Sequence, residues 1–283
     1  MIHTHKVQNI ARSLFSENKI DVFLGYQSGP LNKHDIPLIV TELKDIDRLI
    51  FTEKSVFNLT NYLKYEHCRN KRIGLIVKGC DSRALNLLLT ENQIKRENIF
   101  VIGIACTGVV QVNGKKYANC EECVCPDPVI ADEIVGPKQG LREYKVCGDV
   151  LQLAEKNVQE RGAFFQKVFE TCIRCNACRN SCPLCYCPRC SVGENTTQTC
   201  GRANTLPNAA AALLTWSLHL AGRCVDCGNC ERACPLGLPL RLLHKKNEIV
   251  VYQNFEQHLA GMKTDDPGAL YKYSLNDPES FIM

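Results

Sequence analysis

The apolar positions of this chain change their spacing near residue 150. Before it they come as short unbroken runs: Asp21–Gly25 (DVFLG), Ile73–Val77 (IGLIV) and Ile99–Ile104 (IFVIGI). Runs of this length, bounded by polar residues or glycine, predict strands buried on both faces. Between the last two runs, Asp81–Gln93 (DSRALNLLLTENQ) has helical spacing, with Asp81 placed as its N-cap. Strand, helix, strand over about thirty residues is a βαβ unit. An α/β domain with a parallel or mixed sheet is therefore expected over residues 1–148. Ahead of it, Val7, Ile10, Ala11, Leu14 and Phe15 form one face of an amphipathic helix.

After residue 150 the spacing is helical and broken by cysteines. Asp149 is placed to cap a helix running through LQLAEKNVQ and on to FFQKVFE. Leu206–Ala221 (LPNAAAALLTWSLHLA) predicts a second helix, with Pro207 in its first turn, and Leu238–Lys246 a third. An α-helical domain is expected over 149–250. The stretch from 251 to 283, rich in Asp, Pro, Gly and Tyr, reads as an extended C-terminal arm over this chain or a partner.

No run reaches the roughly 18–20 apolar residues that cross a bilayer. The best candidate, Ala209 to Leu220, is short and contains Ser, Thr and His. The first twenty residues hold no apolar signal core. A protein without a transmembrane segment, in the cytoplasm, is expected.

Composition changes the picture at one residue type. Hydrophobic residues make up 45% of the chain, enough for a buried core, and the formal net charge of +4 makes no case for nucleic acid. Cysteine stands at 19 against 7 His and 1 Trp. A secreted disulfide scaffold would carry an export signal and would usually be much shorter. Metal sites in a reducing compartment remain. Each 4Fe–4S core held by four thiolates carries about −2 net, so two such clusters would cancel the positive surplus.

Two segments share one pattern, cysteine by cysteine. Cys172–Pro183 (CIRCNACRNSCP) and Cys224–Pro235 (CVDCGNCERACP) both fit C-x2-C-x2-C-x3-C-P. Cysteines two residues apart let a tight loop wrap three corners of an iron–sulfur cube, with backbone N–H groups turned to the sulfides. The fourth cysteine is expected to start the next helix, with proline in its first turn. In two-cluster proteins that fourth cysteine reaches across to the other cluster. Cluster one then takes Cys172, Cys175, Cys178 and Cys234; cluster two takes Cys224, Cys227, Cys230 and Cys182. Zinc knuckles are the alternative, but zinc takes four ligands, usually two C-x2-C pairs, and leaves the third cysteine and the C-P unexplained. The 41 residues between Cys182 and Cys224 hold the Leu206–Ala221 helix. With that helical spacer, residues 165–250 resemble the α-helical ferredoxin domains of heterodisulfide reductase, succinate dehydrogenase and related electron-transfer subunits.

Four more cysteines form a second constellation. Cys80 (KGCDSRA) ends one strand and opens a helix, Cys106 (GIACTG) ends the next strand, and Cys120 and Cys123 follow as CEEC. Carboxyl ends of neighbouring parallel strands lie side by side, and sites form there. A helix N-terminus also favours a thiolate. A third cluster is the expectation; zinc, or plain buried cysteines without metal, are the alternatives, and Cys125 is a substitute for one of the four. Cys185, Cys187, Cys190 and Cys200 are read as packing around cluster two or serving a partner interface, with a further metal site as the alternative. Cys68 and Cys147 read as core.

IDVFLGYQSGP, DIDRLIFTEKSVFNL, IVKGCDSRALNLLLTENQIKRENIFVIGIACTG and CEEC, in that order, resemble the β subunits of deazaflavin-linked hydrogenases and formate dehydrogenases. The likeness is nearest to the ferredoxin-bearing branch of anaerobes and runs from about residue 18 to 250. It implies a subunit that passes electrons between a catalytic subunit and a flavin or heterodisulfide-reductase-type module. Many members bind FAD and some reduce the deazaflavin coenzyme. The resemblance therefore also implies an alternative: an FAD-containing β subunit exchanging electrons with a deazaflavin or nicotinamide coenzyme. The sequence has no G-x-G-x-x-G and no P-loop, although the KGCDSRA turn is able to present backbone N–H groups to a phosphate. His3 and His5 read as a frayed terminus, and His219 as packing near Trp216 or as a donor to a cluster sulfur. No Ser–His–Asp or paired-carboxylate arrangement supports hydrolysis. The expected function is electron transfer without substrate chemistry.

Overall fold

The structure is a computed structural model and describes residues 2–194, 200, 201, 203–257, 259–264, 268–271 and 275. The chain divides into two compact units: Met1–Tyr144 with Gly261–Asp266, and Lys145–Ala260 with Pro267–Met283.

The first unit opens with α1 (Ile2–Ser16), which buries Val7, Ile10, Ala11 and Leu14 as its spacing predicts. His3 and His5 belong to this helix, so that end is helical and not frayed. The apolar runs form β1 (Val22–Gln27), β3 (Ile73–Val77) and β4 (Ile99–Ile104), with β2 (Ile36–Val40) between the first two in sequence and β5 (Glu133–Val135) after the last. The sheet order is β2-β1-β3-β4-β5. Only β1 and β2 run antiparallel, with Phe23 opposite Val40 and Gln27 opposite Ile36. The other pairs are parallel: Val22 with Ile73, Ile73 with Ile99, and Ile104 with Val135. The sheet is mixed, within the α/β class that the βαβ pattern predicts. Pro37 sits on the β2 edge, where a missing N–H is harmless.

The crossover helix α2 (Gly79–Thr90) joins β3 to β4. Its N-cap is Lys78, and Asp81 is its third residue; the Asp81 carboxylate accepts the Lys78 backbone N–H at 3.1 Å. The N-cap thus lies three residues before the expected Asp81. Gly79 has a packing reason: a Cβ there would fall 2.0 Å from the Cys125 carbonyl oxygen. This close approach lets the Cys125 loop press on the turn that carries Cys80.

The second unit is helical. The expected long helix is two, α4 (Gly148–Glu155) and α5 (Val158–Thr171), counted after the short α3 (Ala118–Glu121) of the first unit. The break has a local cause. Asn157 caps α5, accepting the Glu160 N–H at 2.9 Å, while Glu160 accepts the Asn157 N–H at 3.1 Å. After α6 (Ala177–Ser181) and α7 (Ser191–Glu194), α8 (Leu206–His219) supplies the spacer helix between the cysteine motifs, followed by α9 (Asn229–Ala233). The last helix, α10 (Arg241–Phe255), is longer than its expected Leu238–Lys246. It meets α8, where Asn247 Nδ2 donates to the Ser217 carbonyl at 3.0 Å and to Ser217 Oγ at 2.8 Å. The first residues of the expected arm, 251–255, are therefore helix; most of the remainder lies outside the described residues. No described helix is long and apolar enough to cross a membrane.

Candidate metal centres

The two C-x2-C-x2-C-x3-C-P segments have the same backbone course. Two residues after the first cysteine, Arg174 and Asp226 both sit at φ 54°; four residues after it, Asn176 is at 59° and Gly228 at 74°. Two left-handed residues within five curl each segment into a cup, as a loop around a compact inorganic core requires. Each cup runs into a one-turn helix, α6 or α9, which Cys182 or Cys234 closes in extended backbone. The fourth cysteine thus ends a short helix and does not start the next one. The Cys182 N–H donates to the Arg179 carbonyl at 3.1 Å, and Cys234 repeats this with Glu231 at 3.1 Å. The two short helices meet: Asn229 Nδ2 donates to the Ser181 carbonyl at 3.1 Å, and Ser181 Oγ donates to the Asn229 carbonyl at 3.3 Å.

The fold brings thiols of the two motifs together across this contact. Cys172, Cys175 and Cys234 all act electrostatically on Cys178, and Cys234 and Cys175 on Cys172. Cys224 and Cys227 act on Cys230, and Cys227 acts on Cys182. Cys234 of the second motif thus acts on Cys172 and Cys178 of the first, Cys182 of the first meets Cys227 of the second, and Cys178 also acts on Cys230. Burial, with neighbouring thiols behind it, pushes Cys178 up to about 12; burial and then Asp226 push Cys224 up to about 12. Cys230 is raised by burial first, and Cys182 by its hydrogen bond with Cys185 first and burial second. Such thiols ionise readily only with cations among them.

The residues fit the group that the motif implies. The donor set is all sulfur. The Arg174 backbone N–H points at Cys172 Sγ at 3.4 Å, and the Asp226 backbone N–H bonds Cys224. A cleft lined by Cys172, Cys175, Cys178, Cys234, Trp216 and Leu213 lies over the first group. Among the described residues, no three His, Cys, Asp or Glu side chains converge as ligands of a single ion would.

The second constellation lies at the carboxyl edge of the sheet. Cys80 is in the first turn of α2, Cys106 follows β4, and Cys120 and Cys123 lie in and just after α3. Cys120 and Cys106 act on Cys123, and Cys120 on Cys106; burial pushes Cys123 up to about 11. The Gly108 N–H donates to Cys106 Sγ and the Val109 N–H to Cys120 Sγ, both at 3.4 Å. Cys80 stands apart from these three: its Sγ donates to Asp81 Oδ1 at 3.6 Å, and Lys78 acts on both Cys80 and Cys106. Cys125 is buried and its Sγ donates to the Asp127 carbonyl at 3.3 Å, which suits a neutral structural thiol.

The other cysteines separate by environment. Cys185 accepts the Trp216 indole N–H at 3.2 Å and neighbours Cys182. Cys200 is buried with Val192 and Ala212, and Cys190 packs against them; Cys187 is exposed. Cys147 is buried with Val150 and Leu242, and Cys68 is buried with its thiol pushed up to about 11. Sequence reasoning did not find two buried groups near these thiols. Lys78 is hidden because lysine normally marks the surface. His244 was passed over for His219, which is exposed, while His244 lies edge-on to Trp216 at 4.4 Å. The tight helical spacing of α10 was its available signal.

No family model matches this chain. It is 22% identical to the F420-dependent formate dehydrogenase subunit beta of Methanocaldococcus jannaschii, over 87% of this chain and 88% of that protein. The IVKGCDSRAL and GIACTG segments that carry the resemblance lie at the sheet edge with Cys80 and Cys106. The likeness to that subunit is distant and runs along most of the chain.

Proposed function

We propose that this chain is an iron–sulfur electron-transfer subunit of an anaerobic oxidoreductase complex of formate dehydrogenase, hydrogenase or heterodisulfide-reductase type. What supports it is that two motifs of the same backbone course bring Cys234 beside Cys178 and Cys182 beside Cys227, as crossed fourth ligands would be. Residues 149–250 act as an α-helical dicluster ferredoxin domain. Cys172, Cys175, Cys178 and Cys234 hold one 4Fe–4S cluster, and Cys224, Cys227, Cys230 and Cys182 the other. Cys80, Cys106, Cys120 and Cys123 hold a third at the edge of the α/β domain. Bound there, each cluster takes up and releases one electron at a time.

The chain's own residues supply the setting. The crossed cysteines hold the two sites close, as tunnelling requires. The backbone N–H groups of Arg174, Gly108 and Val109 offset charge on the ligating sulfurs. Trp216 and Leu213 keep water from the first site. No residue here is assigned to substrate chemistry; donor and acceptor lie on partner subunits. The F420 dependence of the relative supports a second reading, in which FAD on the α/β domain exchanges electrons with a deazaflavin.

Anaerobic purification with iron, sulfide and flavin analysis tests this. About twelve irons per chain, with no flavin released on denaturation, is the expected result. Cys120→Ser should then remove about four irons. Flavin release decides for the second reading, and zinc without iron overturns both.

A further inference from the structure

His244 is a buried polar group that the ligand assignment leaves unused. It lies on α10 at 3% exposure, and neither ring nitrogen has a hydrogen-bond partner. Its ring stands edge-on to Trp216, centroids 4.4 Å apart and planes at 84°. It lines one small cleft with Cys224, Leu220, Glu248 and Val251. An imidazole carries at least one N–H in either protonation state. Leaving such a donor buried without an acceptor costs roughly 1–3 kcal/mol. A leucine would fill an apolar slot between α8 and α10 without that cost, so the position calls for an acceptor.

The nearby charges do not supply one. Asp226 accepts Arg241 Nε at 2.5 Å and Nη2 at 2.9 Å, and lies 3.4 Å from Lys245 Nζ. Glu248 is held by Lys245 at 2.8 Å and 3.0 Å. Both carboxylates that face this side of α10 are thus committed to cations, while the cleft opens on Cys224, a ligand in the reading above.

We propose that His244 donates its N–H to a sulfur of the cluster held by Cys224, Cys227, Cys230 and Cys182, and so raises that cluster's reduction potential above what burial alone would set. The inference rests on the proposed ligation. Hydrogen bonds to cluster sulfurs stabilise the more negative reduced state, and a nitrogen donor reaching one of two similar clusters sets their potentials apart. His244 is a positioning and tuning residue; it ligates nothing.

The test uses the full-length protein purified anaerobically, with redox titration followed by EPR. His244→Leu should keep its iron and move one cluster to lower potential, leaving the other two in place. His244→Gln, which keeps an N–H donor, should recover part of the shift. Unchanged potentials in His244→Leu with full iron, or equal shifts in the two variants, overturn the proposal and leave a packing role. A second measurement needs no variant: with 15N-histidine in the wild-type protein, pulsed EPR of the reduced cluster should detect one weakly coupled nitrogen. Its absence while the cluster signal is intact overturns the proposal. Absence of iron from the wild-type protein instead overturns the ligation itself.

Discussion

Lys78 Nζ lies 2.8 Å from Asp81 Oδ2 at the mouth of α2, with both side chains buried. The ammonium also donates to Tyr26 Oη at 2.6 Å and to the Phe57 carbonyl at 2.8 Å, so each of its three protons has an acceptor. Burial works against its charge, but Asp81, Tyr26 and Cys80 together hold its pKa above the ordinary lysine value. Removing one member of a buried pair leaves the other charge uncompensated, at a cost of about 3–5 kcal/mol. Asp81→Ala also deletes the acceptor of the Lys78 backbone N–H. It should lower stability by that amount in urea unfolding, whereas Glu42→Ala, at the exposed Lys44 pair, should leave it unchanged. Equal effects would show that Lys78 is not held as a buried ion.

Asp21 joins the amino ends of β1 and β3 and gives the chain a defined acid response. The Arg72 side chain and then its backbone N–H lower its pKa to about 2, from 3.8. A carboxyl depressed in the folded state adds stability above its unfolded pKa and loses it as pH falls toward the folded one. The window is therefore pH 4 to 2. The stability difference between wild type and Asp21→Asn should be constant from neutral pH to about 5 and vanish by about pH 2. It should be small, because both side chains are more than a third exposed and solvent screens them. An unchanged difference across that window would remove the pair from the acid response.

These examples show what a linear reading is able to find. Ile73–Val77 and Ile99–Ile104 were legible as strands because a buried parallel strand must be apolar at every position. β2 was obscured by Pro37, and β5 is only three residues long. The α4–α5 break was encoded in Asn157 and Glu160, a capping box that a continuous helical pattern conceals. The motif cysteines were legible because their spacing is local. Lys78 and His244 were not, because burial is decided by tertiary packing and neither residue type announces it.

The left-handed residues of the cups make a test independent of ligation. Asn176 at φ 59° occupies the place that Gly228 holds at 74° in the second motif. Asparagine tolerates this region, glycine adopts it freely, and a β-branched residue does so at about 1–2 kcal/mol. Asn176→Gly should keep iron content and thermal stability, while Asn176→Val should lose stability by about that amount and bind less iron. If valine is tolerated as well as glycine, the cup does not need the left-handed turn.

Cys182 decides whether the ligands cross. It lies in the first motif, ten residues after Cys172, yet its motif-to-motif neighbour is Cys227 of the second. The reciprocal Ser181–Asn229 bonds hold the end of α6, next to Cys182, against α9 of the second motif. If the proposed ligation holds, Cys182→Ala should perturb the EPR signal of the cluster proposed at Cys224, Cys227 and Cys230, and Cys234→Ala that of the cluster proposed at Cys172, Cys175 and Cys178. Cys185 sharpens the first experiment. Its sulfur is hydrogen-bonded to Cys182 and fixed by the Trp216 indole N–H at 3.2 Å, so a substitute thiolate stands beside the vacated corner. Cys182→Ala should leave a cluster with altered g values, and Cys182→Ala/Cys185→Ala should lose it. Disturbance of the Cys172-side cluster alone in Cys182→Ala, or of the Cys224-side cluster alone in Cys234→Ala, would show that each motif closes on itself.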